Sequence, residues 1–122
     1  MTVLFIEYPK CSTCQKAKKW LQDNKVCFTD RHIVNENPNK EELKLWLKLS
    51  GKSLKNFFNT SGLLYKSMEL KKRLPLMSED EQLSLLASNG MLVKRPLIIG
   101  NDFVLIGFKD TEWQKTLSRT FK

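Results

Sequence analysis

Thr2-Val3-Leu4-Phe5-Ile6-Glu7-Tyr8-Pro9-Lys10-Cys11-Ser12-Thr13-Cys14 is the stretch from which the rest of the chain can be read. Thr2 to Glu7 is apolar and rich in β-branched and aromatic side chains, the make-up of a short buried strand, and Tyr8-Pro9 breaks it. From Gln15 to Asn24 the pattern changes. Cys14, Ala17 and Leu21 now fall on one face of a helix. Ser12 and Gln15 have the spacing of a capping box, and Asn24 can stop the helix. Val26 to Ile33 alternates as a second strand, with Val26, Phe28 and Asp30 on one face and Cys27, Thr29 and Arg31 on the other. A strand, a helix and a strand within about 30 residues form a βαβ unit, whose strands run parallel.

Beyond it the strand signal stops. Asn35 to Asn39 is a polar turn. Asn39 can cap a helix through Leu49, with Leu43, Trp46, Leu47 and Leu49 turned inward and Gly51 ending it. Leu54, Phe57 and Phe58 form an apolar patch before the turn cluster Asn59-Thr60-Ser61-Gly62. Leu63 to Leu70 reads as a helix closed by Pro75. Ser78 to Ala87 reads as another, because Ser78 and Glu81 make a capping box and Leu83, Leu85 and Leu86 supply an apolar side. Strands return at Pro96–Ile99 and Phe103–Ile106, joined across Gly100-Asn101-Asp102 as a hairpin. Asp110 then caps a last helix carrying Trp113 and Leu117. The expected class is α/β: a small mixed four-stranded sheet in a single domain over 1–122. Its core comes from about 1–34 and 91–122, with a helical insertion over about 35–90.

The chain of 122 residues suffices for one core and not for two. Its 41% hydrophobic and 28% charged residues exclude a disordered, collagen-like or disulfide-scaffold class. No apolar run approaches the ~20 residues of a membrane span, and no basic segment precedes an apolar one, so neither a membrane partner nor a signal peptide is expected. Three cysteines in such a chain fit the reducing cytoplasm, where a close pair is more often catalytic or metal-binding than structural. Lys and Arg number 21 against 13 Asp and Glu, a net charge of +8 that can attract nucleic acid, acidic proteins or oxyanions. The cations are scattered, however, and Lys71-Lys72-Arg73 is the only dense group. Solvated helix surface explains most of them, and direct nucleic-acid binding is not expected. A monomer is expected.

The chemistry lies in Cys11-Ser12-Thr13-Cys14. Residues three apart in the first turn of a helix lie side by side, near the ~4.4–6.8 Å Cα spacing a disulfide accepts. Cys11 falls at the helix N-terminus, where unpaired backbone N–H groups and the dipole favour an anion, and Lys10 adds a positive charge. Cys14 shares the inward face with Ala17 and Leu21. An exposed nucleophile beside a sheltered resolving thiol is what dithiol exchange requires. A zinc site has the right count in Cys11, Cys14, Cys27 and His32, but Cys27 and His32 lie five apart on a strand and point to opposite faces. No metal is therefore expected, Cys27 reads as a core residue, and His32 as a surface or strand-end residue. Lys94-Arg95-Pro96 precedes the third strand. Arg95 either holds the Cys11 sulfur, or an oxyanion bound to it, or is a surface arginine. The isomer of Pro96 is not legible.

Tyr8-Pro9-Lys10-Cys11-Ser12-Thr13-Cys14-Gln15-Lys16-Ala17, Asp30-Arg31-His32-Ile33, Phe58-Asn59-Thr60-Ser61-Gly62 and Leu92-Val93-Lys94-Arg95-Pro96-Leu97-Ile98-Ile99 together resemble the arsenate reductase (ArsC)-like family of the thioredoxin-like fold, especially the Firmicutes branch that includes the Spx regulators. The resemblance implies a thioredoxin-like, glutaredoxin-like core with an inserted helical subdomain. It matches Cys11 to the family's nucleophile and Arg95 to the arginine before proline. The glutaredoxin-linked arsenate reductases add two oxyanion-binding arginines. This chain has Asn59 in place of the first, and Leu105-Ile106-Gly107-Phe108 around the second; it carries Cys14 where those enzymes have no thiol. The resemblance therefore implies a cytosolic thiol–disulfide oxidoreductase with catalytic Cys11, Cys14 and Arg95. Lys10, Ser12, Thr13, Asn59 and Pro96 are the candidate substrate-binding residues. No bound cofactor is expected, only an external reductant such as thioredoxin or glutathione and glutaredoxin, with a thiol/disulfide protein or small oxyanion as substrate. The alternatives are an arsenate reductase and an Spx-like redox-sensing regulator that binds RNA polymerase.

Overall fold

The computed structural model describes residues 2–120; Met1, Phe121 and Lys122, part of the expected 1–122 domain, lie outside the described residues. The opening stretch folds as its pattern dictates. β1 (Thr2–Glu7), α1 (Ser12–Asp23) and β2 (Cys27–His32) make the βαβ unit, with β1 and β2 parallel from Thr2 opposite Cys27 to Glu7 opposite His32. β3 (Leu97–Ile99) and β4 (Val104–Ile106) form the hairpin, and β3 lies antiparallel to β1. The mixed sheet has four strands in the order β2-β1-β3-β4.

Alternation along β1 gives the sheet two apolar faces. Val3 and Phe5 point to one side, where they meet Ala17 and Leu21 of α1 and Trp113 and Leu117 of α6 (Asp110–Thr120). Ile6 points to the other, into a cluster with Leu97, Leu43, Trp46, Phe57, Leu70 and Leu86. The helical segment between β2 and β3 therefore shares its core with the sheet. It comprises α2 (Lys40–Ser50), α3 (Leu63–Ser67), α4 (Leu70–Arg73) and α5 (Glu79–Ser88), with short 3-10 turns between them. Asn39 with Glu42 and Ser78 with Glu81 make reciprocal caps at the starts of α2 and α5, and Gly51 ends α2 at φ 66°. Of the four inward-turned residues expected in α2, Leu43 and Trp46 are buried, while Leu47 and Leu49 are half-buried.

Four local expectations are corrected. The Leu63–Leu70 helix is broken at Glu69, whose φ of 52° interrupts the helical path between α3 and α4. Tyr65 and Leu70 would sit roughly 140° apart on one continuous helix, and the break lets both be buried. Ser12 and Gln15 form no capping box: the N-cap is Cys11, and Gln15 reaches back toward β1 instead. Asp110 opens α6 from inside its first turn, and its Oδ1 accepts the Trp20 indole N–H at 3.1 Å. Cys27 is exposed rather than in the core. It lies at the start of an edge strand, and the insertion covers only the far end of that face, where Arg31 pairs with Glu42 and stacks on Trp46.

Candidate functional site

The break at Tyr8-Pro9-Lys10 delivers Cys11 to the N-cap of α1, and its backbone N–H closes the turn on Tyr8 O at 2.9 Å. An N-cap side chain faces the free amides of the next two or three residues. As a thiol Cys11 makes no geometric cap bond, because neutral sulfur is a weak acceptor. Its ionised form is another matter. Burial raises the Cys11 pKa, but the backbone N–H groups of Cys14 and Thr13, the Cys14 thiol and the Arg95 side chain outweigh it, and the net pKa lies below the ordinary thiol value.

Cys14, in the first turn of α1, is fully buried while Cys11 is half-exposed. Burial pushes Cys14 up to about 12, reinforced by its own bond and charge interaction with Cys11 and opposed by the Tyr8 backbone N–H and the charge of Arg95. The two thiols are therefore split in the sense that exchange chemistry uses, one reachable and shifted towards its anion, the other sheltered and shifted towards its neutral form.

The remaining parts arrive from distant segments. The Arg95–Pro96 peptide is cis. The Arg95 guanidinium lies 5.0 Å over the Tyr8 ring, and its Nη1 is 4.0 Å from Met91 Sδ. A Phe58–Val93 bridge, with Asn59 N donating to Leu92 O and Lys94 N to Phe57 O, each at 2.7 Å, fastens the insertion to the segment before β3. Asn59 is thereby set beside Arg95. Cys11, Thr13, Asn59 and Arg95 line one cleft of about 340 Å³, together with Ser61, Lys94 and Lys109. Lys10 and Ser12 are exposed next to it, and Pro96 is buried behind it.

Sequence reasoning missed what lies beneath the turn. Glu7 is 1% exposed. Its Oε1 accepts from Gln15 Nε2 at 3.3 Å and its Oε2 pairs with Lys18 Nζ at 3.1 Å, while Lys18 also meets Asp30 at 2.7 Å. Gln15 Nε2 donates a second bond to Pro9 O at 2.8 Å, tying β1, the Cys11 turn and α1 together. The available signal was the only charged residue in an otherwise apolar strand. His32 ends β2, with Nδ1 accepting from the Val34 and Asn35 amides. Among the described residues no group of three or more His, Cys, Asp or Glu side chains could hold a metal ion, and no helix is long and apolar enough to cross a membrane.

Similarity to known proteins extends over nearly the whole chain. The crystal structure of an ArsC family related protein from Bacteroides fragilis superposes with a TM-score of 0.92 at 58% identity, covering 94% of this chain and 97% of that one. The uncharacterized protein YusI of Bacillus subtilis (strain 168) is 50% identical over 94% of this chain and 98% of its own length. The global transcriptional regulator Spx of Staphylococcus aureus is 30% identical over 98% of this chain and 88% of its own. The model of the ArsC family matches residues 6–116. On this evidence, joined to the thioredoxin-like sheet and its inserted helices, the chain belongs to the ArsC family.

Proposed function

We propose that this protein is a cytoplasmic thiol–disulfide oxidoreductase working through Cys11 and Cys14, with Arg95 as the cation that stabilises the anionic sulfur. One observation carries the reading: neighbouring thiols on one helical turn, the half-exposed one held below its ordinary pKa and the buried one pushed up to about 12. The Cys11 thiolate attacks one sulfur of a substrate disulfide. A Cys11–substrate bond forms, the substrate S–S bond breaks, and the departing thiolate takes a proton from water. In this mixed disulfide Cys11 carries no charge, so one of the causes holding the Cys14 proton disappears. Cys14 loses its proton to water and attacks Cys11 Sγ, and the second substrate thiol leaves. The substrate has gained two electrons, and the Cys11–Cys14 disulfide holds the oxidation until an external dithiol of the thioredoxin or glutaredoxin class reduces it. Lys10, Ser12, Thr13, Asn59 and Pro96 frame the substrate around this pair.

Two other uses of the same sulfur are tested alongside. Arsenate reduction would start with Cys11 attacking arsenic, but the cleft presents Asn59 where the resemblance expects an oxyanion-binding arginine. A redox-sensing regulator binding RNA polymerase is supported by the 30% identity to Spx. Reduction of insulin disulfides coupled to thioredoxin should vanish in Cys11→Ser, whereas Cys14→Ser should accumulate a mixed disulfide visible by mass spectrometry. Turnover that needs arsenate and glutaredoxin would replace this reading with the first alternative. Capture of RNA polymerase only when the pair is oxidised, without disulfide reductase activity, would replace it with the second.

A further inference from the structure

The Cys11 cleft does not end at Arg95. Asn59, Ser61 and Arg95 line it and also line a second cleft of about 670 Å³, whose far side is Leu63, Leu64 and Met91. The two form one groove with chemically distinct ends. At the Cys11 end stand Lys94, Arg95 and Lys109, and among the described residues no carboxylate lines either cleft. At the other end Leu63 is 86% exposed, a large apolar side chain left in water next to Leu64 and to the adaptable thioether of Met91. Between them stand Asn59 and Ser61, polar side chains common to both clefts.

We propose that this groove receives an extended polypeptide whose target cysteine is flanked by an acidic residue on one side and an apolar residue on the other. The inference rests on the oxidoreductase reading and names its substrate class. An oxyanion of a few atoms would fill the Cys11 end and leave a cleft of ligand-pocket size empty. A chain bonded through its cysteine to Cys11 Sγ fills both. Its carboxylate meets the Lys94–Lys109 end, where the sign of the charge complements it. Its apolar side chain covers Leu63 beyond Arg95 and removes apolar surface from water. The covalent step is the exchange already written: the Cys11–substrate bond forms as the peptide's disulfide to a small thiol breaks, and that thiolate leaves with a proton from water.

The test uses the full-length Cys14→Ser protein, which stops at the mixed disulfide, and a set of short peptides whose single cysteine is capped by 2-mercaptoethanol. Hydroxyethyl disulfide supplies the reference rate. A peptide with Glu before and Leu after the cysteine should react on the order of ten-fold faster than its Leu→Ala counterpart, the scale expected for covering one such side chain. Replacing its Glu by Lys should slow it several-fold at low salt, with the difference shrinking as salt rises. Adding Leu63→Ser should collapse the Leu-to-Ala ratio towards one, with circular dichroism confirming the fold. Equal rates across the peptides, insensitive to Leu63, would overturn the groove assignment while leaving the oxidoreductase reading intact. No mixed disulfide with any peptide or with hydroxyethyl disulfide would overturn both.

Discussion

At the scale of single residues, the site depends on how the environment divides two identical thiols. Cys11 is favoured as an anion by dipoles that come with the helix start and by one side-chain charge, Arg95, held over Tyr8. Removing that charge should leave the amide contribution and lose the charge-assisted one. In Arg95→Ala the pH midpoint for iodoacetamide alkylation of Cys11 should move up towards the ordinary thiol range, with slower alkylation at neutral pH. Arg95→Lys should recover only part of the loss, since an ammonium neither stacks on the ring nor presents a planar fork. An unmoved midpoint in Arg95→Ala would remove Arg95 from the site. The cysteine pair was legible because spacing on a helix start is local information. Cys27 was not, because alternation tells which residues share a face but not whether anything covers it. Glu7 escaped notice because a carboxylate at a strand end reads in sequence like any solvated one; only α1 folding back over β1 reveals its partners.

Elements matter to the site through how they are fastened. Caps at α2 and α5 could be read from Asn39 and from Ser78 with Glu81, whereas the junction of the insertion with the segment before β3 is non-local and invisible in sequence. There Gly90 packs so closely that a Cβ would lie 1.9 Å from Ile33 O, a backbone atom that cannot swing aside. Gly90→Ala should therefore separate the 3-10 turn at Gly90–Leu92 from the end of β2. The expected cost is roughly 1–3 kcal/mol, the range for overpacking, read as a lower urea midpoint. The Phe58–Val93 bridge lies just beyond this contact and sets Asn59 beside Arg95. The peptide discrimination of the groove should accordingly weaken in the variant that still folds. A urea midpoint equal to that of the parent would show that the backbone relaxes around the added methyl. The broken Leu63–Leu70 segment follows the same rule: burial of Tyr65 and Leu70 overrode a locally plausible helix.

Over the whole molecule, the sheet separates two apolar clusters, and the site sits on the rim where both meet, taking Cys11 from the α1 side, Asn59 from the insertion and Arg95 from the link between them. Among the described residues Glu7 is the charged side chain driven into this interior. It faces Gln15 and Lys18 of α1 and Asp30 of β2. Burial, then its hydrogen bond with Asp30, raises its pKa above the ordinary 4.5, against the pull of Lys18. For Asp30, burial raises the pKa, but hydrogen bonds from Glu7 and Lys18 outweigh it and the net direction is down from 3.8. The two carboxylates thus contribute with opposite signs. The Asp30 contribution is present above its unfolded pKa and lost as pH falls through the lower folded value. The Glu7 contribution is present below 4.5 and is lost as pH rises through its raised folded value, so raising the pH weakens the folded state through Glu7. Glu7→Gln removes that titration and keeps an oxygen for Gln15 to bond. In urea unfolding, the stability of Glu7→Gln relative to the parent should therefore improve as pH rises from below 4.5 to neutrality. A relative stability that instead worsens over the same interval would mean that pairing with Lys18 exceeds the penalty of burial, and that the carboxylate is kept under the cysteine turn as an ion.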